Sequence, residues 1–195
     1  MQLEAVKPMK SVFMAGVAAI LLVAGSTGAG AQQRSDKRVA SKGDWAVFAD
    51  ENPRSCWVVA APSETVNTKG GRVVSVRRGD ILLMVSYIPG RGIRGQVSFT
   101  GGYRFAKGSQ VRLEIGQQTF HLLTVPEDDP ATAMPEYEFA WTYSEADDAR
   151  IITAMKRGAR AIVTGLSSRG TTTRDTFSLL GFTAAVEDAA KRCSG

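Results

Sequence analysis

Val111-Arg112-Leu113-Glu114-Ile115, closed by Gly116, places an apolar side chain at every second position and a charged one between. Successive side chains of an extended chain point to opposite faces, so this stretch reads as a strand with one face on a core and the other in water. Working outward, similar short β-prone runs occupy 45–49, 56–60, 72–77, 81–88 and 96–100 before it and 119–125 after it. Turn residues separate them: Asn52-Pro53, Lys69-Gly70-Gly71, Pro89-Gly90 and Gly101-Gly102. Strands this short and this frequent predict a mostly β fold. The expected form is a β-sandwich of about ten strands, with a partly open β-barrel as the alternative.

Beyond an acidic, proline-marked loop at 126–135, residues 136–142 put Tyr137, Phe139 and Trp141 on one face, which predicts a further strand. Ser144 and Asp147 fit a capping box. Glu145, Asp147 and Asp148 suit a first helical turn, Ile151, Ile152 and Met155 form an apolar stripe, and Lys156 and Arg157 precede Gly158. A helix over about 145–157 follows. Runs at 159–167 and 171–180 around Arg169-Gly170 read as a closing strand pair, and 182–192 as a short terminal helix leading to Cys193.

The first 31 residues read as a cleaved signal peptide. Lys7 and Lys10 precede an uncharged run over 12–25, and Ala29-Gly30-Ala31 has the form of a cleavage site. That run is shorter than the roughly 20 apolar residues needed to span a bilayer. The mature chain is expected to start at Gln32, and translation could start at Met1 or Met9. Residues 32–43 are polar and without periodicity, so a flexible arm is expected before a single domain over 44–195. The segment removed carries a net charge of +1, leaving +4 of the chain's +5. That charge is unevenly spread. Residues 72–112 hold eight bases against Asp80 alone, and 127–148 hold eight acids and no base. The first run suits a polyanion, unless the second folds back to neutralise it.

Export would place Cys56 and Cys193 where disulfides persist, and a bridge between them is the natural pairing; two separately buried thiols are the alternative. Other motifs carry little chemistry. Gly90-x-Gly92-x-x-Gly95 matches a dinucleotide fingerprint by letter, but a strand follows it where a helix is required. The stretch 165–169 approaches a nucleophile elbow and fails because Arg169 stands in the last glycine position. His121, the sole histidine, falls in an apolar strand, and with no second histidine and no C-x-x-C the usual zinc sites are excluded. Asp128/Asp129 and Asp147/Asp148 are better explained as a solvated loop and a helix cap than as acid–base pairs.

Gly43-Asp44-Trp45-Ala46-Val47, Cys56 in the next strand, Val97-Ser98-Phe99, the helix over 148–157 and the ending Phe177-Ser178-Leu179-Leu180-Gly181-Phe182-Thr183-Ala184-Ala185 together resemble the invasion-associated locus B family of exported alphaproteobacterial proteins. The resemblance spans about 44–193, and the S-L-x-G-F-T-A-A ending is its most specific piece. It implies a periplasmic or envelope-associated β-sandwich without known catalysis, linked in pathogenic members to host-cell invasion. Many family members place two cysteines within the first strand pair. Here Phe48 and its neighbours supply none, so the staple would join Cys56 to the terminal helix.

The expectation is thus a non-enzymatic binding protein of the cell envelope, periplasmic or secreted and not membrane-spanning. Its partner would be an envelope or host component, such as an anionic polymer or lipid, with no cofactor and no nucleic acid. Arg77, Arg78, Arg91, Arg94 and Arg104 form the candidate anion-binding surface. A periplasmic hydrolase built on His121 and a polyanion-binding protein built on 72–112 are the alternatives.

Overall fold

The protein's structure, a computed structural model, describes residues 37–125 and 136–194. The proposed signal peptide, residues 32–36 of the arm and the loop over 126–135 lie outside these residues. The chain begins with β1 (Arg38–Lys42), β2 (Trp45–Glu51), β3 (Arg54–Ala60), β4 (Glu64–Lys69) and β5 (Arg72–Val73). It continues through β6 (Leu82–Ile88), β7 (Ile93–Thr100), β8 (Gln110–Ile115), β9 (Gln118–Thr124) and β10 (Phe139–Trp141). Then come α1 (Glu145–Arg157), β11 (Arg160–Leu166), β12 (Thr172–Ser178) and α2 (Phe182–Cys193).

All strand pairs are antiparallel, in the order β1-β2-β3-β6-β7-β10-β9-β8-β11-β12-β4-β5. The sheet is open, with β1 and β5 at its two ends, and is not a closed barrel. It bends so that its two halves share one core, as in a sandwich. Phe99 on β7 meets Phe177 on β12 edge-on, with ring centroids 6.2 Å apart. Trp45 on β2 donates from Nε1 to the Ser178 carbonyl at 3.0 Å, and its ring meets Phe182 of α2 at 4.8 Å. The alternation that opened the reading is realised in β8, where Val111, Leu113 and Ile115 are buried and Arg112 is exposed.

α1 has the predicted bounds because its ends are written locally. The Ser144 hydroxyl accepts from the Asp147 N–H at 3.3 Å, acids fill the first turn, and Lys156 and Arg157 fill the last. α2 buries Ala185, Val186 and Ala189 against β2 and β3, and Cys193 at its end is bonded to Cys56 of β3 with Cα atoms 6.0 Å apart.

Three parts of the sequence reading differ. Arg38–Lys42, within the expected arm, form β1 and pair with β2. The sequence pattern marks no strand at β4, whereas the run over 72–77 shrinks to the two residues of β5. β5 is the end of the sheet and is paired on one side only, while β4 lies between β12 and β5 with no buried side chain, so neither carries the apolar alternation of a core strand. The run over 136–142 divides into a 3-10 turn at Glu136–Glu138 and β10, which is short but links the sheet's two halves by pairing with β7 and β9. Among the described residues no helix is long and apolar enough to cross a membrane.

Candidate functional site

The site is built where the chain enters β6 and leaves β7. Gly79 and Gly102 touch there: the Gly79 N–H donates to the Gly102 carbonyl at 2.9 Å, and a Cβ on Gly102 would lie 2.6 Å from Gly79 backbone atoms. With φ at +68°, Gly102 is in a conformation natural only to glycine. This contact fixes Arg78, whose Nε donates to the Gly101 carbonyl at 2.8 Å. Its Nη1 and Nη2 donate to the Asp175 carboxylate at 2.7 and 2.6 Å.

Only 6% of the Arg78 side chain and 0% of the Asp175 side chain are exposed. Arg78 is therefore no part of a free anion-binding surface, a correction to the sequence reading. Its charge is spent on a partner across the core, and its role is to pin the loop before β6 onto β12. Tyr103 lies beneath it, ring centroid 5.1 Å from the guanidinium carbon, sharing a 2.6 Å hydrogen bond with the Thr173 hydroxyl. Burial pushes the Tyr103 phenol up to about 12.

The opposite wall is the β11–β12 turn. The Ser167 N–H donates to the Thr171 carbonyl at 2.9 Å, the Thr171 N–H to the Ser167 hydroxyl at 3.1 Å, and the Ser168 N–H to the Arg104 carbonyl at 2.8 Å. Arg104 lays its guanidinium 3.9 Å above the Tyr137 ring, a cation–π contact. Between the walls is a cleft of about 610 Å³ bordered by Arg77, Arg104 and Arg169. All three are exposed, and among the described residues none makes an ion pair; Glu138 is the acid on the lining. The ion pairs of the basic run are Arg78 with Asp175 and Arg112 with Glu114, so within the described residues none reaches into 136–148.

The five candidate arginines thus fall in two places. Arg77, Arg78 and Arg104 lie at one end of the β6–β7 hairpin, where Leu82 pairs with Thr100. Arg91 and Arg94 are exposed at the other end, where Ile88 pairs with Ile93, and Arg94 lies beside the end of α2. The glycine fingerprint sits in that turn, followed by strand β7.

His121 is exposed on β9 opposite Arg112 and lines a hollow of about 240 Å³ with Tyr143 and Asp147. Among the described residues no hydrogen bond joins it to a hydroxyl or a carboxylate. Asp147 instead accepts from the Ser144 hydroxyl at 2.8 Å and from Arg150 at 3.3 Å. Asp148, read from the sequence as part of a helix cap, stands in the first turn of α1, is 7% exposed and accepts from the Val97 N–H at 2.7 Å and the Thr142 hydroxyl at 2.8 Å. Ser167, in the failed nucleophile elbow, is buried in the β11–β12 turn with no helix after it.

A family model described as Invasion associated locus B (IalB) protein matches residues 45–190. No curated protein matches the chain. Among solved structures, the crystal structure of invasion associated protein b from Bartonella henselae is similar, with a TM-score of 0.52 and 13% sequence identity over 80% of this chain and 98% of that one. At that identity the likeness bears on the fold, and it places the open, two-helix β architecture among known ones.

Proposed function

The chain belongs to the invasion associated locus B family, and on that premise we propose that it is an exported, non-enzymatic binding protein of the cell envelope. The signal-peptide pattern over 1–31 supports export, with cleavage after Ala31 and residence in the periplasm or outside the cell. The observation that carries the binding reading is the cleft bordered by Arg77, Arg104 and Arg169. It offers positive charge, and among the described residues no hydrogen bond there or around His121 forms a relay from base to nucleophile. Such a site suits holding an anionic envelope or host component.

The test is to immobilise the mature protein, pass envelope extract over it and analyse both the retained and the flow-through fractions. The expected outcome is saturable retention of a component released unchanged by salt. Progressive chemical change of the extract that disappears with His121→Ala would instead establish the hydrolase alternative and sink this reading.

A further inference from the structure

We infer that the cleft between the loop before β6 and the β11–β12 turn is a binding site for a sugar phosphate, with the phosphate held among Arg77, Arg104 and Arg169. The inference rests on the binding reading above and specifies its ligand.

The three guanidinium groups come from three separate connections: after β5, after β7 and between β11 and β12. Like charges bordering one cleft repel, and such an arrangement is favourable when an anion lies among them. Asp175 cannot serve as that anion, because Arg78 engages both its oxygens. Among the described residues of the lining, Glu138 is one acid beside three exposed bases. The planar, multi-donor guanidinium matches the spacing of phosphate oxygens, and such charge-assisted contacts are about twice as strong as neutral ones.

The size of the cleft argues for more than a bare ion. Its volume of about 610 Å³ lies within the range of small-molecule sites, roughly 300–1,000 Å³. Inorganic phosphate would leave most of that space unfilled. The rest of the wall carries hydroxyl groups, from Ser168 and Thr171, and these can exchange hydrogen bonds with a polyhydroxylated body. The Gly79–Gly102 contact and the Arg78–Asp175 pair hold one wall rigid, which lowers the ordering cost of binding.

Calorimetric titration of the mature protein with glucosamine 1-phosphate tests the inference, with inorganic phosphate, glucosamine and phosphatidylglycerol vesicles as separate arms. Glucosamine 1-phosphate should bind at one saturable site, at least about tenfold tighter than phosphate or glucosamine alone, and more weakly as salt rises. Arg77→Ala with Arg169→Ala should weaken it by about tenfold or more, while the thermal midpoint stays put and the Arg91→Ala, Arg94→Ala control keeps wild-type affinity. Equal affinity of wild type and the first pair, equal affinity for phosphate and sugar phosphate, or binding to vesicles alone would each overturn it. If these arms fail while wild type still retains envelope material, the ligand assignment falls alone. If wild type retains nothing, the binding reading falls with it.

Discussion

Arg78 and Asp175, 97 residues apart in the chain, meet as a two-pronged ion pair that closes one wall of the cleft from inside. Two opposite charges out of water depend on each other, so removing one leaves the other buried and uncompensated, at a cost of about 3–5 kcal/mol. Arg78→Met and Asp175→Leu are each expected to lower urea stability by that order. The double variant should recover much of the loss, because apolar replacements of similar volume tolerate the site. Equal losses in single and double variants would show that Arg78 acts through Gly101 rather than through Asp175.

The Cys56–Cys193 bond ties the end of α2 to β3 across 137 residues. By loop-closure entropy a span of that length contributes about 5 kcal/mol, and measured losses of native disulfides run about 2–5 kcal/mol. The variant with both cysteines replaced by alanine should lose stability in that range. Thiol titration of the unfolded, unreduced wild type should find no free sulfhydryl, and two would refute the bond.

Asp148 is expected to make stability depend on acid pH in an unusual direction. Burial, with Asp147 and Glu145 nearby, holds its carboxyl above the ordinary 3.8, against the opposing hydrogen bonds from Val97 and Thr142. The folded form therefore binds this proton more tightly than the unfolded form. The associated stabilisation is complete below 3.8 and is lost as pH rises through the raised value. Asp148→Asn keeps an acceptor for the Val97 N–H without the charge, so relative to wild type it should gain stability as pH rises from about 3 to about 7. Asp148→Ala, which orphans that buried N–H, should cost about 1–3 kcal/mol at all pH values. Parallel pH profiles for wild type and the Asn variant would contradict the assignment.

Gly43 and Gly181 interlock the β1–β2 turn with the entry to α2. Gly181 has φ at +85° and a Cβ there would lie 2.1 Å from the Lys42 carbonyl oxygen; one on Gly43 would lie 2.4 Å from the Leu180 carbonyl oxygen. Gly181→Ala should cost well beyond the roughly 1–2 kcal/mol of a left-handed non-glycine residue. Gly70→Ala, at φ +57° with nothing within 4 Å, should cost only that backbone penalty. Similar thermal midpoints for the two variants would remove the clash from the account.

What the sequence made legible was whatever is encoded locally. α1 carries its own cap and terminal charges, and the strand pair over 160–178 carries its turn, so both were placed to within a residue or two. β1 and β4 were missed because RVASK and ETVNTK have no apolar alternation; their strand form comes from partners elsewhere in the chain, Trp45–Glu51 and Thr172–Ser178. The site was harder still. Charge marks Arg77 and Arg104 in the sequence, but no local signal tells Arg78, whose partner is on β12, from its neighbour. Arg169 was visible only as the residue that spoiled a nucleophile elbow, because its approach to Arg77 and Arg104 exists only once the sheet has bent. A basic residue in a tight Ser-Ser-Arg-Gly turn was the available clue.

The order of strands leaves β1 and β5 as the two margins of the sheet. β5 is two exposed residues, Arg72 and Val73, and β1 slips register between Arg38 and Ala40 and carries a cation at each end. A foreign strand needs a straight, unpaired run of backbone donors and acceptors to add itself to a sheet, and short, bulged or charged margins deny it one. The molecule is thereby guarded against stacking with its own copies into fibrils. The same margins disfavour recognition by strand addition.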